Sequence, residues 1–205
     1  MNNLFVAPSM EDLIRLLRAW RFWVAGSILG TLIGAALYFI APPAFQARAT
    51  VNVDFNLEQA WPQETDRQQF YYLERESRKL EEIAWSDDIM DQLSAQFAVP
   101  PEALRGGKLQ LSQPAEAGWH FYAEDADAQT AASLASVWAN AFVRRVQAEV
   151  ESGNVNEFVK VEATQTQNLP VERRVPLSGY LLAGSVGFLA IAVFAVLFVN
   201  PSRIK

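Results

Sequence analysis

The sequence predicts an α+β domain carried between two membrane-spanning helices. Three observations predict it. Two long uncharged apolar runs flank the chain, a period-two strand follows the first run, and helical periodicity fills most of what lies between.

The chain has 205 residues, 51% hydrophobic and 20% charged, but the hydrophobicity is concentrated. Residues 22–41 and 177–199 hold no charged side chain. At about 1.5 Å per residue they reach about 30 Å and 34 Å, enough to cross a hydrocarbon core. Lipid offers no hydrogen bonds to the backbone, so each run is expected as a helix. The organisation that follows is a cytoplasmic amphipathic segment (1–21), a transmembrane helix (22–41), an extracytoplasmic α+β domain (42–174), a second transmembrane helix (177–199) and a cytoplasmic tail (200–205). The first run is too long for the apolar core of a cleaved signal peptide, although Ala47-Arg48-Ala49 has the small-residue spacing of a cleavage site.

Orientation is read from lysine and arginine near the spans. The two tails hold five Lys/Arg against two Asp/Glu, and the loop holds twelve against twenty-one. Basic ends predict that both termini are cytoplasmic, in the plasma (inner) membrane. Arg173 and Arg174, just before the second span, are the one feature that pulls the other way. The acidic loop also excludes nucleic acid as an expected partner.

Taken in order, Leu13, Leu16, Leu17 and Trp20 recur at helical spacing, with Ser9 as the expected N-cap. Trp20 and Trp23 fit an interfacial aromatic belt. Pro42-Pro43 stops the first span. Ala47, Ala49, Val51, Val53 and Phe55 then alternate with polar residues as a half-buried strand. Residues 63–85 read as a helix whose apolar stripe is Phe70, Leu73, Ser77, Leu80 and Ala84. Ser86 is expected to cap a second helix that buries Ile89, Met90, Leu93 and Phe97, and Pro100-Pro101 ends that stretch. Residues 108–112 and 119–122 read as a hairpin with its turn over 114–118. Asp125 or Asp127 starts a long helix with Ala131, Leu134, Ala135, Trp138, Ala141, Phe142, Val146 and Val150 on its apolar face. Val155, Phe158, Val159 and Glu162 keep helical spacing, so this helix is expected to resume after Gly153-Asn154. Residues 169–176 are expected to be extended. The result is a sheet of three strands covered by helices.

Catalytic chemistry is not expected. His120 is the only histidine, and there is no cysteine for thiol chemistry, a disulfide or a zinc site. Gly106-Gly107-Lys108 lacks the spacing of a phosphate-binding loop. Asp87-Asp88-Asp91 and Glu124-Asp125-Asp127 sit at helix starts, where carboxylates complement the helix dipole. No catalytic, cofactor-binding or metal-ligating residue is therefore named. Two features point to association. Gly26, Gly30 and Gly34 recur every four residues, a face that lets another helix approach closely. Its partner is either the second span of the same chain, where Gly184, Ser185 and Gly187 supply small residues, or a neighbouring chain. Arg173 and Arg174 are candidate contacts for anionic lipid or a lipid-linked pyrophosphate, against the plainer reading of a solvated flank.

The order of these signals resembles the chain-length determinant family, the polysaccharide co-polymerases. The resemblance is carried by Glu11-Asp12-Leu13-Ile14-Arg15-Leu16-Leu17-Arg18 before the first span and by Pro42-Pro43-Ala44-Phe45-Gln46-Ala47-Arg48-Ala49-Thr50-Val51 after it. It continues in Trp85-Ser86-Asp87-Asp88-Ile89-Met90, Leu93, the strand at 108–112, and Asp125-Ala126-Asp127-Ala128 with Ala131-Ala132 and Ala139-Asn140. It ends at Pro170 and Pro176 before the second span. The resemblance implies a non-enzymatic, homo-oligomeric membrane scaffold. Such a scaffold sets the chain length or export of a lipopolysaccharide, capsule or exopolysaccharide, working with a polymerase or exporter and its lipid-linked glycan. A sensor or adaptor that activates a separate cytoplasmic tyrosine kinase is the alternative. Two departures are expected: no long coiled-coil arm between Ala84 and Leu104, and, with six residues after Val199, no fused kinase.

Overall fold

The chain is seen here in a computed structural model, which describes residues 10–60, 66–114 and 118–198. The Ser9 cap, the expected helix start at 63–65, the turn residues 115–117 and the tails at 1–9 and 199–205 lie outside the described residues. Two compact units emerge, one of residues 1–43 with 175–205 and one of residues 44–174.

The first unit is an apolar helical hairpin. Helix α1, Met10–Arg18, breaks at Ala19 before α2, Trp20–Ile40, begins. The Trp23 indole N–H donates across the break to the Leu16 carbonyl, 3.1 Å away. Helix α8, Leu177–Phe198, returns antiparallel to α2. Both α2 and α8 are long and apolar enough to cross a membrane. Ile28, Leu32, Phe39, Leu182, Val186 and Phe194 are largely exposed, unlike the side chains of a soluble core helix.

The second unit is α+β with a small antiparallel sheet. Strand β1, Phe45–Asp54, is followed by helices α3, Leu57–Ala60, and α4, Asp66–Ala84. Next come α5, Asp87–Phe97, the short α6, Pro101–Ala103, and a π-type turn over Leu104–Lys108. Strands β2, Leu109–Ser112, and β3, Trp119–Asp125, form the expected hairpin ahead of α7, Ala128–Glu151. Strands β4, Lys160–Gln165, and β5, Val171–Arg173, close the unit. The sheet order is β2-β3-β1-β4, with β5 beside β4 on the same edge of β1.

The sheet has five strands where three are expected: β4 forms where the spacing predicts helix, and β5 forms within 169–176, the segment expected to be extended. Gly153, at φ +78°, adopts the left-handed conformation that ends α7. Beyond it Lys160, Glu162 and Thr164 alternate with Val161, Ala163 and Gln165, and the open edge of β1 accepts them: Val53 pairs with Val161 and Asn52 with Glu162. Four residues at helical spacing were too short a signal to compete with a strand edge.

The core lies between α7 and the inner face of the sheet. Ala47, Ala49 and Val51 of β1 and Trp119, Phe121 and Ala123 of β3 are buried there. Trp138 and Phe142 of α7 meet Phe121 at ring distances of 4.8 and 5.0 Å. Asp127 settles the start of α7, its carboxylate accepting the Thr130 N–H at 2.7 Å, while Asp125 ends β3. On α4 the buried stripe is Tyr72, Glu76, Leu80 and Ala84, so Phe70 turns outward at 63% exposure. The stripe rotates because Glu76 can be buried with partners: Arg75 at 2.9 Å and Lys79 at 3.1 Å reach its carboxylate. Ser86 holds the N-cap position of α5, but its hydroxyl makes no capping bond. Pro101 opens α6 as its first residue, so it does not merely end the preceding stretch.

Candidate functional site

Within the apolar hairpin, the sequence-predicted glycines make a seam. A side chain on Gly30 would overlap the Gly184 carbonyl and the Phe188 Cβ, and one on Gly34 would overlap the Tyr180 carbonyl. Gly26 faces Ala192, where an added Cβ would come to 3.0 Å. Only residues without a side chain allow the α2 and α8 backbones to meet this closely. The Ser27 and Ser185 hydroxyls share a hydrogen bond of 2.6 Å across the seam, and Tyr38 and Tyr180 pack edge to face. Of the two partners left open by the sequence, α8 of the same chain occupies this face. Gly187 lies off the seam, where an added Cβ would meet nothing within 4 Å.

Within the α+β unit, the two ends lie side by side. The Arg174 N–H donates to the Ala44 carbonyl at 3.0 Å, and Phe45 pairs with Arg173. Arg174 also reaches Glu124 at 3.0 Å, and the Arg173 guanidinium stacks 4.3 Å over the Phe45 ring. Both arginines therefore fasten the chain's exit to its entry. The Arg174 charge is partly balanced by Glu124.

A polar surface that the sequence reading did not single out lies on the outer sheet face. Antiparallel sheets commonly leave one face to water, and the alternation of β1 and β3 puts polar residues there. Arg48 stands directly opposite Tyr122, which stands opposite Gln110. In the next row His120 lies opposite Thr50, whose hydroxyl is 3.2 Å from Nδ1. Burial, and then the neighbouring Arg48 charge, hold the His120 pKa below its ordinary value. A groove of about 160 Å³ opens on this face, lined by Gln46, Arg48, Tyr122, Pro170 and Glu172.

The groove has a local cause. Thr50 pairs with Gln165 and Ala47 pairs with Val171. Residues 166–170 therefore stand against only Arg48 and Ala49, and the surplus chain bulges away from the edge. Asn168 takes a left-handed turn within it, at φ +49°. Alternation alone could have placed Arg48 and Tyr122 on one face. The bulge that walls them is not visible in the sequence, where the spacing over 155–167 predicts helix.

No family model matches the chain, and no curated protein matches it. Among the described residues no group of three or more acidic or histidine side chains is placed to hold a metal ion.

Proposed function

We propose that the chain is a membrane-anchored, non-enzymatic regulator of surface polysaccharide assembly, acting beside a polymerase or exporter and its lipid-linked glycan. In this reading α2 and α8 span the plasma membrane, both termini are cytoplasmic, and the α+β unit projects from the far side. The observation that carries the anchoring is the bond from the Arg174 N–H to the Ala44 carbonyl. A unit whose entry and exit are tied together, each continuing into an apolar helix, suits a scaffold held at one end. Basic tails and an acidic loop support the orientation. The ordered resemblance to chain-length determinants supports the glycan role and self-association.

Deleting the gene should change the length distribution or amount of a surface glycan on a gel. An unaltered glycan profile overturns the reading. Reporter tags at both termini should be protected from external protease, with the α+β unit cleaved.

A further inference from the structure

We infer that the groove on the outer sheet face is a glycan subsite that holds one pyranose ring of a polymer, with Arg48, Glu172 and Gln46 on its hydroxyls and the Tyr122 ring beneath its C–H face. The inference rests on the polysaccharide reading above and names where the polymer would be touched.

Four features of the groove lead to this ligand. Arg48 and Glu172 line the same groove, yet among the described residues neither forms an ion pair, with the other or with anything else. Opposite charges held apart across a gap leave room for a neutral group that can donate to one and accept from the other. A vicinal diol does both, since each hydroxyl is donor and acceptor. Gln46 adds an amide, already oriented because its Nε2 donates to Glu124 at 3.1 Å. Tyr122, half-buried between Arg48 and Gln110, offers an aromatic surface of the kind that packs against apolar ring faces.

Shape and charge favour a sugar over other polymers. The groove lies on the face of the sheet, so a bound peptide could not add to a strand edge through its backbone. Among the described residues lining the groove Arg48 is the one cation, so a polyphosphate chain would meet a single positive charge on a unit in which carboxylates outnumber Lys/Arg. About 160 Å³ suits one ring and not a folded partner, and the groove is open to the surface.

The test uses the full chain in nanodiscs and, as probe, oligosaccharides cut by mild acid from the surface polysaccharide of the cells that make it. Saturation-transfer NMR should show transfer from protein to sugar ring protons. Arg48→Gln and Tyr122→Ala should each weaken binding by about tenfold or more, and Arg75→Gln on the far helix should not. Glu172→Gln, conservative and exposed, repeats the test if Tyr122→Ala fails to fold. No transfer to the wild-type chain, or transfer that survives Arg48→Gln and Glu172→Gln alike, overturns the assignment. If deletion alters the glycan while the oligosaccharides ignore the groove, the site falls and the regulatory reading stands. If they bind the groove while deletion leaves the glycan unchanged, the regulatory reading falls instead.

Discussion

The Trp138 indole N–H donates to the Ala84 carbonyl across 2.9 Å, at a point where the Trp138 side chain is wholly buried. Ala84 is the last residue of α4, so this carbonyl has no partner within its own helix. The indole supplies one, and its ring fills the space between Phe121 and Trp85. One side chain thus ties α7 to the end of α4 and to the sheet.

Trp138→Phe keeps most of the ring and loses the donor. It should destabilise the α+β unit by about 1–3 kcal/mol, the cost of a buried acceptor left unmet. Trp138→Ala also leaves a cavity and should cost about 3–5 kcal/mol. Thermal melts of the full chain in detergent, followed by tryptophan fluorescence, should rank the three proteins in that order. Equal melting temperatures for Trp138→Phe and wild type would show that the carbonyl finds another donor.

Gly30→Leu should pry α2 from α8, because the new side chain would enter the Gly184 backbone. Overpacking of this kind costs about 1–3 kcal/mol. The chain has no cysteine, so Ser27→Cys with Ser185→Cys gives a clean reporter where the two hydroxyls now lie 2.6 Å apart. Oxidative cross-linking should be efficient with Gly30 present and should fall with leucine in its place. Gly187→Leu, where nothing lies within reach, should cross-link like the parent. The size of the detergent-solubilised assembly should not change with Gly30→Leu, since the same chain already fills this face.

Glu76→Ala should destabilise the unit although it removes a charge from the interior. The carboxylate holds Lys79 and, at 3.4 Å, the Asn156 backbone N–H, so α4 is fastened to the turn that follows α7. Alanine leaves that N–H unmet, for a loss of about 1–3 kcal/mol. Glu76→Gln retains an acceptor and should lose less. Hydrogen exchange at Asn156 should quicken in the alanine variant before the core amides respond.

The fold was legible where one periodicity ran long enough. The apolar face of α7 was readable over six turns, and Ala47, Ala49 and Val51 were readable as an inward-facing row. It was not legible where tertiary contacts chose between two patterns. Glu76 and Ser77 are neighbours on α4, and sequence preferred the serine for the interior. The structure buries the glutamate, because its partners lie on Arg75, Lys79 and Asn156. Lys160–Gln165 becomes a strand only because β1 offers an edge, which no local window contains. The glycine face was visible as spacing, but only the antiparallel partner separates Gly184 from Gly187.

His120 makes the outer sheet face sensitive to acid. Its pKa is lowered in the folded unit, by burial first and then by Arg48, so the unfolded chain takes up a proton that the folded one resists. The sign follows: stability from this group is complete above the ordinary value of 6.5 and declines as pH falls below it, levelling once the folded imidazole is also protonated. Asp125 responds lower down. The Lys108 ammonium, 2.6 Å from its carboxylate, holds its pKa below 3.8, so its contribution persists until pH falls through that depressed value. Melting temperatures taken from about pH 7.5 to about pH 5 should fall more steeply for wild type than for His120→Gln, which keeps a polar side chain beside Thr50. Parallel curves would mean that His120 does not carry the dependence. Arg48→Gln, by removing the repelling charge, should shift the His120 step upward in pH and shrink it.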